Sequence, residues 1–123
     1  MKKVIAIFSI LFSLESFSAI NPAKDIQELV ENQVSSMLDI NYDQFISYGT
    51  KDFKAITKEM FEGVSKQISS HLKNGYKLTY LTSLRTQGFI KHLWKISFTD
   101  KGDDILMSMV LNKNKEIAGF WVR

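Results

Sequence analysis

The hydrophobic period of this chain changes once, at Asn74-Gly75, and that switch constrains its fold more than any other feature. Before it, apolar residues recur at three- and four-residue steps; after it, they alternate with polar ones. The first pattern turns one side of a helix toward a core, and the second turns one side of a strand toward it. Helices gathered ahead of strands predict an α+β domain, with N-terminal helices packed on a curved four-stranded antiparallel sheet, rather than the alternating units of a parallel one.

In the helical half, Ile26, Leu29, Val30, Val34, Met37 and Leu38 make the first stripe, and Asn21-Pro22 suits its cap and first turn. Ile40-Asn41 interrupts it, and Asp43 can cap a short turn that carries Phe45, Ile46 and Tyr48 to Gly49. A longer stripe follows through Phe53, Ile56, Met60, Phe61, Val64, Ile68 and Leu72. Asp52 or Thr57 can cap it, and Glu59 and Glu62 favour Thr57 through the helix dipole. Asn74-Gly75 supplies a left-handed stop.

Beyond the switch, Tyr76, Leu78, Tyr80, Thr82 and Leu84 read as one face of a long strand, and Ile90, His92, Trp94, Ile96 and Phe98 as one face of the next. A turn at Asp100–Asp103 leads to a third strand, Ile105–Leu111, with Met107 and Met109 on one face. A turn at Asn112–Lys115 then leads to a fourth, Glu116–Arg123. Phe89, Leu93, Leu106 and Val110 fall on the opposite faces, so both sides of the sheet carry apolar groups and a homodimer through the sheet is expected.

The N-terminus reads as an address. Lys2 and Lys3 precede an apolar run from Val4 to Leu14 and then Ser16-Phe17-Ser18, the layout of a secretory signal peptide (residues 1–18) cut after Ser18. The run spans about half a bilayer's hydrocarbon core, so no stable membrane anchor is expected after cleavage. Residues 19–123 form a single domain, secreted or, in a Gram-negative source, periplasmic. With no cysteine, neither a disulfide nor a lipidated N-terminus is available. Nine Phe, four Tyr and two Trp leave aromatic burial as the main source of stability.

Sixteen basic and thirteen acidic residues give a formal charge of +3, and Arg85 and Arg123 are the only arginines. Dispersed lysines without an arginine cluster solubilise a surface but do not make a nucleic-acid interface.

The order of elements, with Leu38-Asp39 before a Tyr42-Asp43-Gln44-Phe45 turn and a last strand reading Lys115-Glu116-Ile117-Ala118-Gly119-Phe120-Trp121-Val122, resembles the nuclear transport factor two-like, cystatin-like cone superfamily, in particular its small secreted members of uncharacterised function. The resemblance covers about Ile26 to Arg123. It implies a curved sheet closing over the long helix around an apolar, cone-shaped pocket. The superfamily includes small-molecule isomerases, dehydratases and hydrolases, whose pockets hold an Asp, His or Tyr, as well as non-catalytic binding and assembly modules. The Asp-His and Asp-Arg pairs of the enzymes have no clear match here.

His92 is the residue with most chemical interest, because alternation puts it among apolar neighbours where a polar group needs a partner. A neutral imidazole there serves either as a general base or as a hydrogen-bonded structural residue, and a carboxylate such as Asp39 or Asp43 reaching it would favour the first. His71, at the end of the long helix, complements the dipole. Two histidines on separate elements and no cysteine do not make a metal site, and Asp100, Asp103 and Asp104 lack the spacing of a calcium loop. No Gly-x-Ser-x-Gly motif or phosphate loop occurs. Tyr76, Tyr80, His92, Trp94 and Trp121 are the candidate ligand-binding residues, with core packing the competing use of the same rings. The expected function is that of an exported, non-catalytic binding or protein-interaction module without a cofactor, taking a small apolar or aromatic ligand or an envelope protein. A cofactor-free enzyme using His92 and a periplasmic inhibitor or immunity protein are the alternatives.

Overall fold

The computed structural model describes residues 21–123, so the signal peptide expected at residues 1–18 lies outside the described residues. Helix α1 (Lys24–Leu38) buries Ile26, Val30, Val34 and Met37 as its stripe requires. Its start differs from the expected one. The cap is Ala23, whose side chain offers no acceptor, and the Asp25 carboxylate instead accepts the N–H of Ile26 at 2.9 Å. Helix α2 (Tyr42–Ile46) is capped by Asn41, whose Oδ1 accepts the Gln44 N–H at 3.1 Å, rather than by Asp43. Asn41 lies immediately before the first helical residue with an extended backbone, while Asp43 is already inside the helix.

A buried amide joins these two helices. Gln33 is fully buried within the apolar stripe of α1, and its Nε2 donates to the carbonyl of Phe45 at 2.9 Å. Asn32 and Gln44 exchange further side-chain and main-chain bonds beside it. Phe45 is thereby held against Phe61, ring centroids 4.7 Å apart, and against Phe53 at 5.4 Å.

Helix α3 (Lys58–Lys73) starts at Thr57, whose Oγ1 accepts the Met60 N–H at 3.2 Å, with Glu59 in its first turn. It ends at Asn74, followed by Gly75 at φ +110°. That turn is tied to the chain leaving β2 on the neighbouring strand: Thr99 N–H donates to the Gly75 carbonyl at 2.9 Å, and His71 Nδ1 meets Asp100 Oδ2 at 2.7 Å. Ser69 Oγ donates to the Leu38 carbonyl at 2.9 Å and fixes α3 against the end of α1.

The sheet is the expected antiparallel meander in the order β1 (Tyr76–Thr86), β2 (Phe89–Phe98), β3 (Ile105–Leu111), β4 (Ile117–Val122), with the helices on one face. Gln87 and Gly88, at φ +50° and +86°, form a two-residue hairpin of the type that matches strand twist. The expected single face of β1 is broken. Tyr80 pairs with Trp94 but Thr82 pairs with Leu93, so Leu81 is an extra residue that reverses the alternation. Tyr76, Leu78 and Tyr80 face inward; Thr82 and Leu84 share the outer face with Leu93 and Lys91. A second irregularity, at Ala118, keeps both Ile117 and Phe120 on the inner side of β4. Trp94, Ile96, Met107, Met109 and Leu111 complete the core from the sheet.

Gly75 tests the α3 stop. A Cβ there would lie 2.6 Å from Thr99 Oγ1, at a φ that L-residues rarely adopt. Gly75→Ala is expected to lower stability by about 1–3 kcal/mol in urea denaturation; an unchanged midpoint would show that the turn carries no such constraint.

Candidate functional site: a sealed aromatic cluster and an open furrow

Strand alternation brings Tyr80, His92 and Trp94 together on the inner face. The Tyr80 hydroxyl lies 2.9 Å from His92 Nδ1, and Trp94 stands edge-on to Tyr80 with centroids 5.3 Å apart. Trp94 is 1% exposed and His92 9%. Burial pushes the imidazole pKa below its ordinary value, and the Asp25 carboxylate opposes this more weakly. The neutral ring is therefore satisfied by a phenol rather than oriented by a carboxylate. Asp39 and Asp43 make no hydrogen bond to it, and none of the clefts described below is lined by Tyr80, His92 or Trp94. A general base needs contact with a substrate proton, and this nitrogen faces packed rings.

The other two aromatic candidates lie elsewhere. Tyr76 opens β1 opposite Phe98 and is half-exposed; partial burial, with the Glu31 charge second, raises its phenol pKa. Trp121 pairs with Ser108 on the outer face, where its ring covers Gly119 and Lys91 Nζ lies 5.7 Å from its centroid. It also borders the furrow at the strand edge.

That furrow lies between α3 and β4 and was not legible as a site in the sequence. Met60 and Val64 belong to the apolar stripe expected to be core, yet they are 65% and 46% exposed. The buried side of α3 is instead Phe61, Ser65, Ile68, Ser69 and Leu72. Met60, Val64, Gln67 and His71 stand at i, i+4, i+7 and i+11, a second row beside the buried one. This row forms one wall along the whole helix, and β4 forms the other.

The furrow has two halves that meet at Val64 and Val122. One, of about 290 Å³, is walled by Met60, Phe61, Phe45, Met37 and Phe120. The other, of about 530 Å³, is lined by Gln67, His71, Asp103 and Arg123 with Ile68 and Phe98 beneath. Polarity thus rises in the same direction along both walls. At the polar end the His71 bond, then the Gly102 N–H, holds the Asp100 carboxyl below its usual range. Arg123 and Asp103 make no ion pair among the described residues. Ser65 lines the apolar half, is fully buried, and its Oγ has no hydrogen-bond partner among the described residues. No three histidine, aspartate or glutamate side chains converge as a metal would require, again among the described residues, and no helix there is long and apolar enough to cross a membrane.

No family model matches the chain, and no curated protein matches it. Among solved structures it is similar to an NTF2-like protein of unknown function from Cytophaga hutchinsonii, at 15% identity over 79% of this chain and 87% of that one, with a TM-score of 0.39. It is also similar to an uncharacterised cystatin fold protein from Novosphingobium aromaticivorans, at 10% identity over 78% of this chain and 95% of that one, with a TM-score of 0.41.

Two predictions follow from the contrast between sealed cluster and furrow. The folded-state pKa of His92 is depressed below the unfolded value of about 6.5, so its contribution to stability is present above that pH and is lost as pH falls toward the folded value. Denaturation at a series of pH values should give a stability that declines below about pH 6.5, with a shallower decline in His92→Gln. Equal slopes would mean that burial does not shift this ring. Ser65→Ala removes an unpaired hydroxyl from a buried site and installs the better helix former, and should raise stability by about 1 kcal/mol; a loss of stability would reveal a partner for that hydroxyl.

Proposed function

We propose that the domain is an exported, non-catalytic binding module and that its ligand occupies the furrow between α3 and β4. The observation that carries this is the exposure of Met60 and Val64, apolar side chains that the helix presents to a groove rather than to the core. Concave apolar surface with a few polar groups at defined places is the usual form of a small-ligand site. The lysine-led apolar segment at residues 2–14 supports export. The bond from Tyr80 to His92 Nδ1 tells against the enzyme reading, because that nitrogen is held by a phenol and no carboxylate is hydrogen-bonded to the ring among the described residues.

A second reading, docking of an envelope protein or a second copy, is favoured by the outer face of the sheet. Leu84, Leu106 and Trp121 are exposed there. Trp121 borders both surfaces, so the two readings are separated by which variant abolishes the shift. Trp121 is half-exposed at the furrow edge while Trp94 is buried, so a furrow ligand should shift the emission of Trp121. Titration with an apolar fluorescent naphthalene sulfonate is expected to shift emission in the wild type and in the outer-face variant Leu106→Ala, and to lose the effect in Val64→Glu. Binding that survives Val64→Glu but not Leu106→Ala would move the site to the outer face.

A further inference from the structure

Resting on the furrow reading, we infer that the ligand is a single-chain amphiphile with a zwitterionic headgroup, its chain between Met60, Phe61 and Phe120 and its headgroup between Arg123 and Asp103. The walls specify the polarity sequence. On α3 the row runs from Met60 and Val64 to Gln67 and His71, and on β4 from Phe120 and Val122 to Arg123, so an extended ligand meets apolar carbon first and charge last on both sides. A uniformly apolar compound would leave the polar half without a counterpart, and a compact polar one would leave the phenylalanine half.

The headgroup follows from charge. The polar mouth holds one guanidinium, Arg123, and one carboxylate, Asp103, neither committed to an ion pair among the described residues. The adjacent His71 and Asp100 are already bonded to each other at 2.7 Å, which leaves them little capacity for a ligand. A simple anion at Arg123 would face the Asp103 charge, and a simple cation at Asp103 would face Arg123. A headgroup carrying both, such as a phosphate beside an ammonium, satisfies each with its opposite. The floor hydroxyl of Ser65 adds a directional group inside the apolar half, where an ester or hydroxyl oxygen of the chain would find a donor.

The test compares three twelve-carbon probes below their micelle concentrations: dodecylphosphocholine, dodecyl sulfate and dodecyltrimethylammonium. Trp121 emission and calorimetry on residues 19–123 provide the readouts. Dodecylphosphocholine is expected to bind most tightly. Arg123→Gln should weaken it about five- to tenfold while sparing the trimethylammonium probe, and Asp103→Asn should weaken it similarly while sparing the sulfate. Either single-charge probe binding as well as the zwitterion, or an unchanged ranking in both variants, would overturn the headgroup assignment and leave the furrow reading standing. Failure of all three probes, or binding indifferent to Val64→Glu with the fold intact by circular dichroism, would remove the furrow reading itself.

Discussion

A four-stranded sheet has two faces, and among the described residues the helices pack on one of them while Leu84, Leu106 and Trp121 stay exposed on the other. Everything else in the molecule follows from how that limited cover is placed. The interior of the cone receives the stripe of α1, and Gln33 anchors α2 beside it so that Phe45 closes the gap between α1 and α3. Ser69, His71 and Gly75 gather at the C-terminal end of α3: Ser69 bonds the Leu38 carbonyl at the end of α1, and the Gly75–Thr99 and His71–Asp100 contacts tie that same end to the β2–β3 turn. Toward its other end α3 leaves Met60 and Val64 uncovered beside β4, the last strand of the order and an edge of the sheet. The furrow is the remainder.

The period switch at Asn74-Gly75 gave α+β, the element order and the meander directly, because 3.6 and 2.0 are backbone geometry and survive any tertiary context. Caps were less legible. Thr57 is confirmed by its bond to Met60 N–H, whereas Asn41 rather than Asp43 caps α2, a difference of two positions that composition cannot resolve. The bulge at Leu81 was invisible for a different reason. Alternation counted along one strand takes no account of its partner, and the extra residue is defined only by pairing Tyr80 with Trp94 and Thr82 with Leu93.

The sequence named aromatic residues that the structure packs on the inner face, and it counted the exposed furrow residues as core. It placed His92 correctly on the inner face with Trp94, but the partner that satisfies the ring, Tyr80, is twelve residues away on another strand. It counted Met60 and Val64 as core because a helical stripe records only that apolar residues share a side. Which part of a broad stripe is covered depends on how the helix lies, and here the buried side includes Ser65 and Ser69, polar residues that a hydrophobic pattern discards. Fully buried Ser36, Ser65 and Gln33 carry the same lesson: small or hydrogen-bonded polar residues on a packed side steer an element while contributing nothing to its periodicity.

The contrast between the two aromatic environments bears on what kind of protein this fold can be. In the cone, the Tyr80 hydroxyl and His92 Nδ1 bond to each other, and the Trp94 ring packs against both. In the furrow, Ser65, Arg123 and Asp103 have spare hydrogen-bonding or charge capacity, and the apolar side chains around them are exposed. Of these groups only the Ser65 hydroxyl is buried, and a buried unpaired hydroxyl costs stability, whereas the exposed Arg123 and Asp103 are solvated by water. The contrast that the structure draws is thus between packed aromatic rings under the sheet and uncovered apolar side chains along α3 beside β4, which is the ground on which the furrow is proposed as the site.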